Sequence, residues 1–197
     1  MHPNRKFHLA DREQMAALVR ELGFGIVFVQ AAEGPRAVHV PVQMEGERLL
    51  FHVSRRNLVH EALVAGATAL FVATGPHAYI SPDWYGLEGR VPTWNYVALE
   101  LEGPVRPLGR EETIRLLDTL SAEQEAQLAP KLAWTRDRIS NELFENLLNA
   151  ITAFEMTITA WRGTAKMDQD KPAEVRMRIA DALAARGDAA MAEVMRR

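Results

Sequence analysis

Apolar residues first recur at helical spacing at Met15, Leu18, Val19 and Leu22, the pattern of one buried helix face. Asp11 ahead of them reads as the N-cap, with Gln14 three residues on, and Gly23 as the stop. The period then changes to two. Phe24–Gln30 is apolar and β-branched. Arg36–Met44 alternates strictly, with Val38, Val40, Val42 and Met44 on one face and His39, Pro41 and Gln43 on the other; Arg48–Ser54 is a third such run. The links AAEGP and EGE are of hairpin length. Pro41 predicts an edge or a bulge, because proline cannot donate to a ladder.

Asn57 is expected to cap a short helix that Gly66 closes, and Ala67–Thr74 to form a buried strand. An aromatic, turn-rich loop should follow, then a long strand from Trp94 to Gly103, with Val105–Leu108 extending or ending it. Helices are predicted over Glu111–Ser121 and Asp137–Ile151. Thr152–Trp161 reads as one strand, with Phe154, Met156, Ile158 and Ala160 alternating against Glu155, Thr157 and Thr159; Glu155 is placed at a solvent or interface position. After Pro172 the chain reads as a helical tail, with Val175, Ile179 and Leu183 inward and a break at Gly187. Strands cluster first and helices enter late. This is α+β with an antiparallel sheet, most simply a small barrel over residues 1–165 with a helical tail over 166–197.

Composition narrows the function. With 197 residues, 48% hydrophobic and 25% charged, the chain suits one large domain. A net charge of −3 gives no whole-chain basic footprint for nucleic acid. There is no cysteine, which excludes disulfides, Cys-ligated zinc, iron–sulfur clusters and a thiol nucleophile, and suits the cytoplasm. The opening MHPNRKFHLADREQ lacks the apolar stretch of a signal peptide. The longest uncharged run, from Ala62 to Pro82, is broken by Gly and Pro, so no membrane span is expected.

Ser54-Arg55-Arg56-Asn57 falls where a strand should end and a helix begin. Free backbone N–H groups and the helix dipole attract anions there, and arginine adds a bidentate grip on phosphate. The same residues also suit a solvated basic turn, which is the commoner occurrence. The segment Thr74–Tyr96 holds all three Tyr and two of the four Trp. It reads either as a grip for a flat heteroaromatic ligand or as an Ω-loop packed on itself or on a partner chain. Thr93 and Asn95 beside Trp94 favour the ligand. No histidine has a metal-ligand spacing, although His39, His52 and His77 leave a haem-handling barrel as a weak third reading. Lys166–Lys171 reads by spacing as an exposed charged turn.

Taken together and in order, FHLADREQ, GPRAVHVPVQ, HVSRRN, TGPHAYISPDWY, VPTWNY, AFEMTIT and GTAKMDQDKP resemble the FMN-binding negative transcriptional regulators of the PaiB type. The resemblance covers most of residues 7–172. It implies an antiparallel split β-barrel like that of pyridoxamine-phosphate oxidases, in which a homodimer holds FMN. It implies phosphate contacts from Arg55 and Asn57. It also implies strand residues His39, Val40, Pro41, His52, Val53 and Ser54 beside the flavin, and Thr93, Trp94, Asn95, Lys166 and Gln169 around the same cofactor. The chain departs from the family at Asp168 and Asp170, where neutral polar residues are usual; two carboxylates there would oppose an anionic cofactor. A homodimer is further expected from open sheet edges and from the concentration of Trp84, Tyr85, Trp94 and Tyr96. The first expectation is therefore an FMN-binding regulator working on DNA or through a protein partner. The alternative is a flavin-dependent oxidoreductase of the same fold.

Overall fold

Gly23, at φ +58°, turns the chain out of its first long helix and directly into a sheet. In the computed structural model, residues 2–196 are described. The strands are β1 (His8–Leu9), β2 (Phe24–Ala31), β3 (Gly34–Glu45), β4 (Arg48–Ser54), β5 (Thr68–Ile80), β6 (Thr93–Pro107), β7 (Ile151–Thr157) and β8 (Ala160–Lys166). The helices are α1 (Arg12–Leu22), α2 (His60–Val64), α3 (Arg110–Ala126), α4 (Asn141–Asn149), α5 (Ala173–Arg186) and α6 (Ala189–Arg196). The chain forms two compact units. One contains residues 2–15, 73–100 and 162–196; the other contains residues 16–72 and 101–161.

In the second unit the strand order β6-β5-β2-β3-β4-β7 returns to β6 through a further β6–β7 pairing, closing a barrel of six strands. The β2–β3, β2–β5, β3–β4, β4–β7 and β6–β7 ladders are antiparallel. Phe51 and Phe154, directly opposite on β4 and β7, stack with ring centroids 5.8 Å apart inside it. Gly103 permits the tightest approach: a Cβ there would lie 1.8 Å from the Thr157 carbonyl oxygen. Helix α3 covers Leu50 and Ala153 with Leu116 and Leu120.

Three expectations are corrected here. Thr152–Trp161 is two strands, because Ile158 N bonds to Glu47 O and Thr159 N to Glu102 O, which draws the chain out of one ladder before the next begins. The helix predicted from Asp137 starts at Asn141, where Ser140 Oγ accepts from Leu143 N, and Ile151 belongs to β7. Glu155 is buried at 5% exposure, because α3 and α4 cover the second face of β7. Its carboxylate accepts from Arg48 at 3.0 Å and from Arg106 at 2.9 Å, the pairing that a buried charge requires.

In the first unit β1 pairs with β8, and α5 and α6 pack Val175, Ile179, Leu183, Met191 and Met195 on Ala78, Ile80 and Tyr85. The aromatic segment is therefore not one loop. Residues 74–80 continue β5, and Tyr85 is 3% exposed. Gly75 and Pro76 read as turn signals, yet Gly75 lies in a strand whose neighbour Val97 would stand 3.3 Å from an added Cβ. Among the described residues, no helix is long and apolar enough to cross a membrane, and no cluster of side chains could hold a metal ion.

Candidate functional site

The β3–β4 ladder runs from Glu45–Arg48 to Val42–Phe51 and ends there. Beyond that point β3 stays with β2, pairing Pro41 with Phe24, Val40 with Gly25 and His39 with Ile26. Strand β4 stays with β7, pairing His52 with Ala153, Val53 with Thr152 and Ser54 with Ile151. The residues that would have continued the ladder instead part company. Each strand is left with one row of backbone groups outside any ladder, an edge open to a polar ligand. Pro41 fits this place. Val42 N points to Gly23 O on the β2 side, so the proline nitrogen one residue earlier faces the split, where no ladder bond is lost. Val40 and Val53 are buried, so toward the split they offer backbone only.

At the open end of β4 the chain turns tightly. Arg55 N bonds to Ala150 O, Asn57 N to Ser54 O, and Arg56 N to Ser54 Oγ. Asn57 does not cap α2: Val59 holds the N-cap position, and Asn57 Oδ1 accepts from Val59 N at 3.1 Å. The backbone N–H groups of Arg55, Arg56 and Asn57 are thus engaged, and an anion would meet side chains instead. Arg55 Nε is fixed on Ile151 O at 2.9 Å, which leaves its two terminal nitrogens to point elsewhere. Arg36, Arg55, Arg56 and Asn57 line a cavity of about 590 Å³, which Glu33 and Glu61 also line. Three guanidinium groups on one cavity are the donor set that a phosphate requires.

His52 Nδ1 is buried without a hydrogen-bond partner, and burial holds the imidazole below its ordinary pKa of 6.5. The neutral ring is the folded form. Between the lowered value and 6.5 the unfolded chain binds more protons, so this contribution to stability is complete above pH 6.5 and is lost as pH falls toward the folded value. His52→Gln should flatten the fall in stability below pH 6.5, as measured by denaturant titration at several pH values. An unchanged slope would exclude His52 as its source. His39 is exposed and stacks on Phe24 at 6.5 Å. His60 Nε2 bonds Thr152 Oγ1 at 2.9 Å.

The remaining predicted residues gather in the other unit. Lys166 Nζ donates to Thr93 Oγ1 and to Trp94 O, each at 2.6 Å, and burial lowers its pKa against the pull of Asp168 and Asp170. Trp94 is 55% exposed, with Tyr79 edge-on at 6.2 Å and His77 at 6.4 Å. Gln169 spends its amide internally: it accepts from Met167 N and donates to Ala165 O and Lys6 O. Asn95 is wholly buried and donates to Asp168 Oδ2 at 2.7 Å. Asp168 also accepts from Tyr85 OH at 3.0 Å, and desolvation followed by that carboxylate pushes the Tyr85 pKa up. The expectation of a wholly exposed charged turn is corrected at Asp168, which is 6% exposed with φ +53°. Asp170 is answered locally by Lys171 at 2.7 Å.

The predicted residues thus fall into two groups, one within each unit. Sequence reasoning placed Arg56 in the basic stretch without giving it a phosphate contact, and missed Arg36 in the arginine cavity. For Arg36 a signal was present: it stands on the Val38–Val40–Val42 face, a charge at the end of an apolar rail. It also missed the Tyr85–Asp168–Asn95 bonds, whose members stand 83 and 73 positions apart.

An antiparallel barrel that parts between two strands is a fold this chain shares with solved flavin-binding proteins. Residues 1–160 match the family described as "Putative FMN-binding domain". The chain belongs to that family, of the PaiB type, and FMN is its cofactor. It is 27% identical over 175 residues to protease synthase and sporulation protein PAI 2 of Bacillus subtilis (strain 168), covering 87% of this chain and 83% of the relative. Among solved structures it resembles the FAD and heme binding protein from Mycobacterium smegmatis, with a TM-score of 0.61 at 19% identity over 85% of this chain and 78% of that one. It resembles the flavocytochrome Anf3 from Azotobacter vinelandii equally, with a TM-score of 0.61 at 13% identity over 84% and 72%. At these identities the likeness shows the fold.

Proposed function

We propose that this protein is a homodimeric FMN-holding regulator of transcription. The observation that carries the flavin part is the arginine cavity at the open end of the β3–β4 split. Arg55 and Asn57, with Arg36 and Arg56, take the phosphate. Backbone groups of His39–Pro41 and His52–Ser54 offer hydrogen bonds to the polar edge of the ring. The family resemblance adds Thr93, Trp94 and Lys166 as cofactor contacts. Asn95 and Gln169 support them, since both amides are already bonded internally. When bound, FMN supplies hydride or electron transfer; the side chains named here bind and orient it.

The homodimer is supported by an apolar sheet face. Phe24, Ile26 and Phe28 of β2 stand opposite Pro41, His39 and Ala37 of β3, with Val72 and Leu70 of β5 on the other side. Phe24 is 53% exposed and Phe28 37%. This face, more than the aromatic segment, is what a second copy would cover. The regulatory reading rests on the family resemblance and on the relative whose name links it to protease synthesis and sporulation.

The purified protein should be yellow with flavin absorption bands, and light scattering should give twice the monomer mass at micromolar concentration. A stable monomer would remove the dimer. A gel shift that persists at physiological salt would support direct action on DNA. FMN-dependent turnover of NAD(P)H without such a shift would replace the regulator with an oxidoreductase.

A further inference from the structure

We infer that a second small-molecule site lies between α3 and α4 and takes a primary aromatic ammonium ion. The two helices and the connection 127–140 line a cavity of about 740 Å³, within the range of sites that engulf small organic ligands. The connection is longer than most within a compact domain and carries one short 3-10 turn, Arg136–Arg138. It is pinned. Glu125 accepts from Trp134 N at 2.8 Å and also pairs with Lys131, which holds the Trp134 backbone beside the cavity it lines.

The walls are aromatic and the charge is net acidic. Trp134 and Phe144 are both half-buried and both line the cavity. Three carboxylates (Asp118, Asp137 and Glu145) stand there against two guanidiniums (Arg110 and Arg136). Arg136 already shows what this lining accepts, with its guanidinium carbon 4.8 Å from the centroid of the Phe144 ring. Aromatic faces attract cations through the ring quadrupole. That arginine is loosely held: its contact with Asp118 is 3.4 Å and both side chains are close to half exposed. A small ammonium ion with three N–H donors can displace it, bond to Asp118 and lay its own ring on Trp134. A carboxylate ligand would instead face the acidic excess.

The test is calorimetry on the full-length, FMN-saturated protein with three matched probes: phenethylammonium, 2-phenylethanol and phenylacetate. Phenethylammonium should bind saturably and at least about tenfold more tightly than the other two, the scale expected for one cation–π contact with its ion pair. Trp134→Ala should weaken it about tenfold and Asp118→Asn about fivefold, whereas Trp134→Phe should stay within about threefold because the aromatic face is kept. FMN affinity should not change in any variant. Asp118→Asn is a surface change that keeps the test meaningful if Trp134→Ala fails to fold. Equal binding of phenylacetate, insensitivity to both Asp118→Asn and Trp134→Ala, or no saturable binding of phenethylammonium at millimolar concentration would each overturn the inference. A cavity closed by a second copy of the chain would show as the last of these.

Discussion

Arg55→Ala is expected to weaken FMN by about 2 kcal/mol, roughly thirtyfold, and to leave riboflavin nearly unaffected. The magnitude is that of a charge-assisted hydrogen bond to phosphate left unmade. Arg55 is well placed for the role, because its Nε is anchored on Ile151 O and its terminal nitrogens are held without a carboxylate partner of their own. Arg36 differs, since its Nη2 is shared with Glu33 at 3.3 Å, and its removal should matter less. Arg55 is exposed, so its loss should barely change stability, which keeps the binding result interpretable. The effect should also shrink as salt rises, because an exposed charge is screened. Fluorescence titration of the apo-protein with both flavins decides the matter. Equal losses for FMN and riboflavin would show that Arg55 does not meet the phosphate.

Asp168→Ser should destabilise the fold by about 3 kcal/mol, because removing one carboxylate orphans two buried donors at about 1–3 kcal/mol each. These are Tyr85 OH and Asn95 Nδ2. Asn95 already carries one unpartnered atom, Oδ1, so its amide would be left with no strong partner. Serine also tolerates the left-handed backbone at residue 168 (φ +53°) less well than aspartate. For a chain of this size the shift in Tm is roughly 6–12 °C downward. Asp168→Asn should cost less, since it keeps an acceptor oxygen and the backbone preference. Asp168 thus has a structural role beside the expectation that carboxylates at 168 and 170 oppose an anionic cofactor. A Tm unchanged in Asp168→Ser would show that the Tyr85–Asp168–Asn95 bonds contribute little.

Much of the barrel was legible because alternation is a local signal. Val38, Val40, Val42 and Met44 had to share a face, and that face is buried in β3. The strand end at Ser54 was legible for the same reason, whereas the helix start was not, since Val59 and not Asn57 holds the N-cap of α2. Nor was the aromatic segment. Tyr85 looks too polar for a core until its hydroxyl meets Asp168, and nothing near it in sequence announces that partner. Glu155 was misplaced because alternation gives the two faces of β7 but does not reveal that helices cover the second one. Lys166 beside Thr93, 73 positions away, became legible only through the family resemblance, which links segments that periodicity treats as independent.

The match to the FMN-binding family runs to residue 160, the first residue of β8. That match and the folded unit therefore end in different places. A gene trimmed to the matched region would end before the strand that pairs with β1, before the lysine that ties Thr93 to Trp94, and before the two helices that roof Ile80 and Tyr85. The residues beyond that match are, in this chain, part of the ground on which the matched stretch stands.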